Sequence, residues 1–137
     1  MNDPARKGVS MADRVKIERL IRALHAARVG GQLVELCGLF APEARFRIAG
    51  SSGRNPIAIS VVGAAEIRSC LSIMVRTFKL TDYELLSMAI EAPEAAVHWR
   101  VHIRSKITGT TVPTELVDLV KVSEAGIASY IELFVPY

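Results

Sequence analysis

The chain predicts an α+β fold, with helices packed on one side of a curved, mainly antiparallel sheet. Two observations carry this. The first half is dominated by segments with apolar residues at helical spacing, and the second half is a run of alternating segments joined by short turns. The clearest of these is Val97–Arg104, Val-His-Trp-Arg-Val-His-Ile-Arg, where every odd position is apolar and every even position basic. A period of two means a strand with one buried and one wet face.

From Asp13 to about Arg28, the residues Ile17, Leu20, Ile21 and Leu24 recur at helical spacing and define a first helix that ends at Gly30-Gly31. Seven of the seventeen basic residues (Arg6, Lys7, Arg14, Lys16, Arg19, Arg22, Arg28) fall in the first thirty positions, and those in the helix are assigned to its polar side. A shorter helix is expected over Gln32–Phe40, stopping near Pro42. Ala44–Ala49 alternates as a short strand, and Gly50–Pro56 is a turn-rich loop. Gly63 precedes a third helix to about Phe78, with the stripe Ile67, Leu71, Met74 and Phe78. Four strands follow at Tyr83–Glu91, Ala95–Ile107, Thr111–Val122 and Ile127–Val135, with turns at Thr108–Thr110 and Glu124–Gly126.

At 137 residues, half of them hydrophobic, the chain is long enough for one domain with a sizeable core. A tail over residues 1–11 and a single domain over 12–137 are expected. No apolar run approaches the ~18 residues that span a bilayer, and no signal-type segment stands at the N-terminus, so a cytoplasmic location is expected. The formal charge is +3. The basic residues are not interleaved with aromatics in any nucleic-acid reading motif. Neither a nucleic-acid nor a membrane partner is expected. Cys37 and Cys70 fall on helical apolar faces and read as small core residues.

The strands after Ala95 place the most informative acid. With a tight turn at Gly109, Trp99 would face Val120, Val101 would face Asp118, and Ile103 would face Leu116; Arg104 would lie opposite Glu115. Setting Val122 opposite Ile127 adds Ser129, Ile131 and Leu133 to the Asp118 face. His98 and His102 fall on the outer face, too far apart for one metal ion. His25 flanks the first helical stripe. A carboxylate on an apolar face must be paired, hydrogen-bonded or neutral. Desolvation raises its proton affinity, which suits it to accept a proton or, once protonated, to donate a hydrogen bond. A structural aspartate tied to backbone or to a tyrosine hydroxyl is the alternative.

Four segments resemble the nuclear transport factor 2-like superfamily: Leu39-Phe40-Ala41-Pro42-Glu43-Ala44, Gly63-Ala64-Ala65-Glu66-Ile67-Arg68, Val117-Asp118-Leu119-Val120-Lys121-Val122 and Ile131-Glu132-Leu133-Phe134. The resemblance implies a cone-shaped fold with three N-terminal helices, shared by ketosteroid isomerases, SnoaL-like polyketide cyclases and limonene epoxide hydrolases. In the isomerases a general base and a tyrosine would occupy the positions of Ile48 and Leu24, so that mechanism is not expected. Their third group, a protonated aspartate, falls on Asp118, as does the acid of SnoaL-like cyclases. The epoxide-hydrolase pattern would need charged residues where Val101 and Ile103 stand.

The resemblance therefore implies a small-molecule-binding protein, acting as an isomerase or cyclase on an apolar carbonyl compound with Asp118 as the catalytic group. Phe46, Met74, Phe78, Trp99, Val101, Leu116, Ile131 and Leu133 are expected to line its cavity. No metal and no cofactor are expected. A homodimer is expected through the outer sheet face, where Val117, Leu119, Tyr130 and Phe134 would be exposed. The alternative is a non-catalytic binding or assembly module of the same fold.

Overall fold

The structure, a computed structural model, describes residues 11–52 and 55–135. Except for Met11, the tail expected over residues 1–11 lies outside the described residues. The elements run α1 (Met11–Gly30), α2 (Leu33–Gly38), β1 (Phe40–Ser52), β2 (Asn55–Val62), α3 (Ala64–Thr77), β3 (Phe78–Glu91), β4 (Glu94–Ser105), β5 (Thr111–Ser123) and β6 (Gly126–Phe134). Three helices pack on a curved, unclosed six-stranded sheet of order β2-β1-β6-β5-β4-β3. Every neighbouring pair is antiparallel except β1 with β6. This is the α+β plan the pattern predicts.

Three local expectations are corrected. The second helix is shorter than expected, and Pro42 lies inside β1, where the pairing with β6 is interrupted between Phe40 and Arg45. A proline lacking an N–H is tolerated at such a break. Of the loop expected over Gly50–Pro56, Gly50–Ser52 belongs to β1 and Asn55–Pro56 opens strand β2, which lies at the sheet edge antiparallel to β1. The β5–β6 turn requires Gly126, because a Cβ there would stand 2.6 Å from the Leu39 carbonyl oxygen.

The β4–β5 register also differs, and instructively. The turn is wider than two residues: Ser105 N–H bonds to Thr110 O at 2.9 Å and Gly109 N–H to Ser105 O at 2.8 Å. Val97, not Val101, therefore faces Asp118; Trp99 faces Leu116, Ile103 faces Val112, and Arg100 faces Glu115. The shift is four residues. An even shift preserves which side chains share a face, so Asp118 stays on the buried side.

The next pair shifts by one. Val122 does face Ile127, but an irregularity between Lys121 and Val122 puts Asp118 opposite Glu132 and Val120 opposite Tyr130. One extra residue reverses the facing of all that follows. Tyr130, Glu132 and Phe134 consequently join the Asp118 face, while Ser129, Ile131 and Leu133 turn outward. Tyr130 packs in the core, stacked on Phe46 with ring centroids 5.5 Å apart.

Candidate functional site

A buried polar cluster forms where α1 crosses the inner face of β4, β5 and β6. On α1, Ile17, Ile21, Leu24 and Arg28 follow 4-3-4 spacing, so the buried stripe continues into Arg28, and His25 lies beside it. Arg28 therefore leaves the polar side expected for it and is 9% exposed. His25, expected at a helix flank, is 2% exposed.

Asp118 is fully enclosed, at 0% exposure. Its Oδ2 accepts from His25 Nε2 at 2.8 Å and from the Tyr130 hydroxyl. Nδ1 of His25 meets the Tyr83 hydroxyl at 2.6 Å; the tautomer that carries its proton on Nε2, toward the carboxylate, leaves Nδ1 to accept a hydrogen bond from the tyrosine O–H. Tyr130 and Tyr83 both have raised proton affinity, through burial first and the Asp118 charge as well. Their hydroxyls thus remain protonated donors. Asp118 Oδ1 and Trp99 Nε1 have no hydrogen-bond partner among the described residues.

Next to this chain, Arg28 Nη1 donates to Glu132 Oε1. Glu132 is 2% exposed. Burial raises its proton affinity and the neighbouring Asp118 raises it further, against the lowering effect of Arg28. Burial works against the charged form of Arg28, but Glu132, Tyr130 and Asp118 outweigh it and hold the guanidinium protonated. Its Cζ lies 5.6 Å from the centroid of the Trp99 ring.

A cavity of about 510 Å³ opens between α3 and the sheet. Its walls are largely apolar, with Leu71, Met74, Phe78, Leu80, Ile103 and Phe134 among them, and Arg28 and Glu132 supply its charged groups. An apolar hollow with a few convergent polar groups is the ordinary form of a small-molecule site. Of the residues expected to line it, Met74 and Phe78 do. Phe46, Trp99, Val101 and Leu116 are buried in the core instead. Ile131 and Leu133 lie on the other face of the sheet because of the β5–β6 irregularity, and Ile131 borders a second hollow of about 520 Å³ there, beside Leu119. Asp118 is not among the lining residues; Glu132, its cross-strand neighbour, is.

Sequence reasoning passed over Arg28 and Glu132. The 4-3-4 spacing on α1 was a usable signal for the first. Nothing in the local pattern marked the second, because its facing depends on one irregularity. Among the described residues no cluster of three or more His, Cys, Asp and Glu could hold a metal ion.

Residues 17–130 match the model of the SnoaL-like domain. The chain belongs to that family. The SnoaL-like fold is shared with solved structures of low identity, which speak to fold alone. A candidate isomerase from Bacillus subtilis is 14% identical with a TM-score of 0.78, covering 90% of this chain and 88% of its own. A candidate polyketide cyclase from Xanthomonas campestris pv. campestris is 16% identical, TM-score 0.71, covering 89% and 92%. An NTF2-like protein from Burkholderia xenovorans LB400 is 19% identical, TM-score 0.71, covering 86% and 88%. No curated protein is similar enough in sequence to match this SnoaL-like chain.

The His25–Asp118 bond is open to a direct test. A hydrogen bond to a charged group contributes about 1.5–3 kcal/mol and a neutral one about 0.5–1.5. His25→Leu should lose stability in the first range by urea unfolding, whereas Tyr83→Phe, at the outer end of the chain, should lose only the second. Equal losses would mean that the Asp118 contact carries no special weight.

Proposed function

We propose that this protein binds an apolar carbonyl compound in the cavity between α3 and the sheet and moves a proton on it, as an isomerase or cyclase. The observation that carries this is the Glu132–Arg28 pair, an acid of raised proton affinity beside an obligate cation, both on the wall of an apolar cavity. The Glu132 carboxylate takes a proton from the carbon next to the carbonyl, the C–H electron pair becomes the new C=C bond as the carbonyl π pair moves onto oxygen, and Arg28 faces the resulting enolate. Returning the proton to another carbon of the conjugated enolate completes an isomerisation; attack by the enolate carbon on a second carbonyl closes a ring, and the alkoxide formed takes the proton back from Glu132. Asp118, held by His25 and Tyr130, acts as a positioning residue that raises the basicity of Glu132.

Incubating the protein with a panel of ketones and enones in deuterium oxide tests this without knowledge of the natural substrate. Exchange at the carbon next to the carbonyl, read by proton NMR, is the expected result. Thermal stabilisation by such compounds with no exchange would overturn the catalytic reading in favour of a binding module. That second reading draws on Ile48 and Leu24, both buried apolar residues where the isomerases would carry reactive groups.

The outer sheet face supports a homodimer as part of the same proposal. Leu119 is exposed there, and the observed register sets it opposite Ile131, with Val117 opposite Leu133. This row replaces the one expected, since Tyr130 and Phe134 point inward. Leu119→Lys is expected to convert the dimer to monomer in sedimentation equilibrium at micromolar concentration, and a monomeric wild type would refute the dimer.

A further inference from the structure

The end of the molecule where the cavity opens combines exposed apolar side chains with clustered positive charge. Ile59, Phe78 and Val112 line the cavity and are also exposed, which marks its mouth. Ile107, at the tip of the β4–β5 turn, is 81% exposed, and Ile73 on α3 is exposed as well. Four of the nine large exposed apolar residues among those described, Ile59, Phe78, Ile107 and Val112, thus gather at one end. Such clustering, unlike scattered single residues, marks an interaction surface.

Arg76, Lys79, Arg104 and Lys106 surround this end, all exposed. Lys79 lies directly opposite Arg104, and Phe78 opposite Ser105. The turn is tied to the end of α3: Lys106 donates its backbone N–H to Thr77 O at 2.8 Å and its Nζ to Val75 O at 3.1 Å. Residues 67–81 and 101–114, which build this end, contain no Asp or Glu. Like charges directly opposite on paired strands oppose folding. The counter-charge for Lys79 and Arg104 is therefore to be sought outside these segments.

We propose that this end docks on an anionic lipid bilayer, with Ile107 and Phe78 entering the headgroup layer and the four cations lying against lipid phosphates. Apolar side chains flanked by Lys and Arg are what an interfacial binder needs. Lys79 and Arg104 share the outer face of the strand ends, while Arg76 at the end of α3 and Lys106 in the turn lie beside the mouth. An anionic surface can meet these four cations together with the exposed tip at Ile107, whereas the tip alone offers a protein partner little area. The expectation of no membrane partner rested on the lack of a spanning segment; among the described residues no helix is long and apolar enough to cross. Surface docking requires none. Passage of a ligand from the bilayer into the cavity rests on the proposed function, but docking does not.

Vesicle sedimentation of the full chain tests the docking. Binding is expected to vesicles of phosphatidylcholine with about a third phosphatidylserine, weak or absent on phosphatidylcholine alone, and falling steeply with added salt. Each cation near such a surface contributes about a fivefold gain in affinity, so Lys79→Gln with Arg104→Gln should lose roughly 25-fold. Ile107→Ser, outside the cavity wall, should weaken binding several-fold with an unchanged circular dichroism spectrum. No binding to anionic vesicles at low salt overturns the proposal. So does loss in the charge variant with none in Ile107→Ser, because that is the behaviour of a general polyanion patch or of an acidic protein's docking site. Because no carbonyl compound is present, failure here leaves the deuterium-exchange result intact, and the reverse holds too.

Discussion

Arg28→Met is expected to cost about 3–5 kcal/mol at neutral pH, because it leaves the Glu132 carboxylate buried without its cation. The pH dependence identifies the cause. In the native protein Glu132 binds its proton more tightly than an ordinary carboxyl, since burial and Asp118 outweigh Arg28. Between the ordinary carboxylate range and that raised value the folded state holds more protons than the unfolded state, so this group's contribution to stability falls as pH rises. Removing Arg28 takes away the principal opposing influence and extends the window upward. The variant should therefore lie nearest wild type in mild acid and fall away toward neutrality, as read by urea unfolding across pH. Adding Glu132→Gln should recover much of the loss, since an unpaired amide is far less costly to bury than an unpaired charge. A deficit constant with pH, or a double variant no better than the single, would show that lost packing on Trp99 dominates.

What could be read from the sequence followed from periodicity, and what could not followed from register. Helix α1, strands β4 to β6 and β3 from Tyr83 onward emerge from residue spacing, because a buried face selects the same side chains wherever the neighbouring strand slides by an even number; the start of β3 at Phe78, expected in the helical stripe, does not. Asp118 was placed inside for that reason, although its partner is Val97 and not Val101. Ile131 and Leu133 were misplaced because a single irregularity at Lys121 reverses a strand, and such breaks leave no mark in an alternating pattern. Strand β2 escaped notice because it is an edge strand with Ala58, Ile59 and Ser60 exposed, so no buried face imposes alternation on it. Arg28 shows a different limit. Its spacing was core-like, but its charge suggested solvent until a buried acid was known to meet it.

Glu132→Gln should reduce deuterium exchange by about 10²–10⁴-fold, the usual contribution of a positioned base. Its amide oxygen can still accept from Arg28, and thermal unfolding would confirm that the fold survives. Asp118→Asn discriminates between the two acids. If Glu132 takes the proton, exchange rises with pH as its carboxyl ionises. The charge of Asp118 raises that ionisation point. Its removal should move the acid limb to lower pH while leaving measurable exchange at the plateau, slower because the base is weaker. If Asp118 itself takes the proton, the asparagine variant should lose exchange as completely as Glu132→Gln, with no displaced limb to observe. Geometry favours the first outcome. A substrate in the cavity meets Glu132 directly, whereas Asp118 lies enclosed behind it with His25 and Tyr130 already on its Oδ2. Two carboxylates opposite one another on paired strands would then share the work, one touching the ligand and the other setting how strongly its neighbour holds a proton.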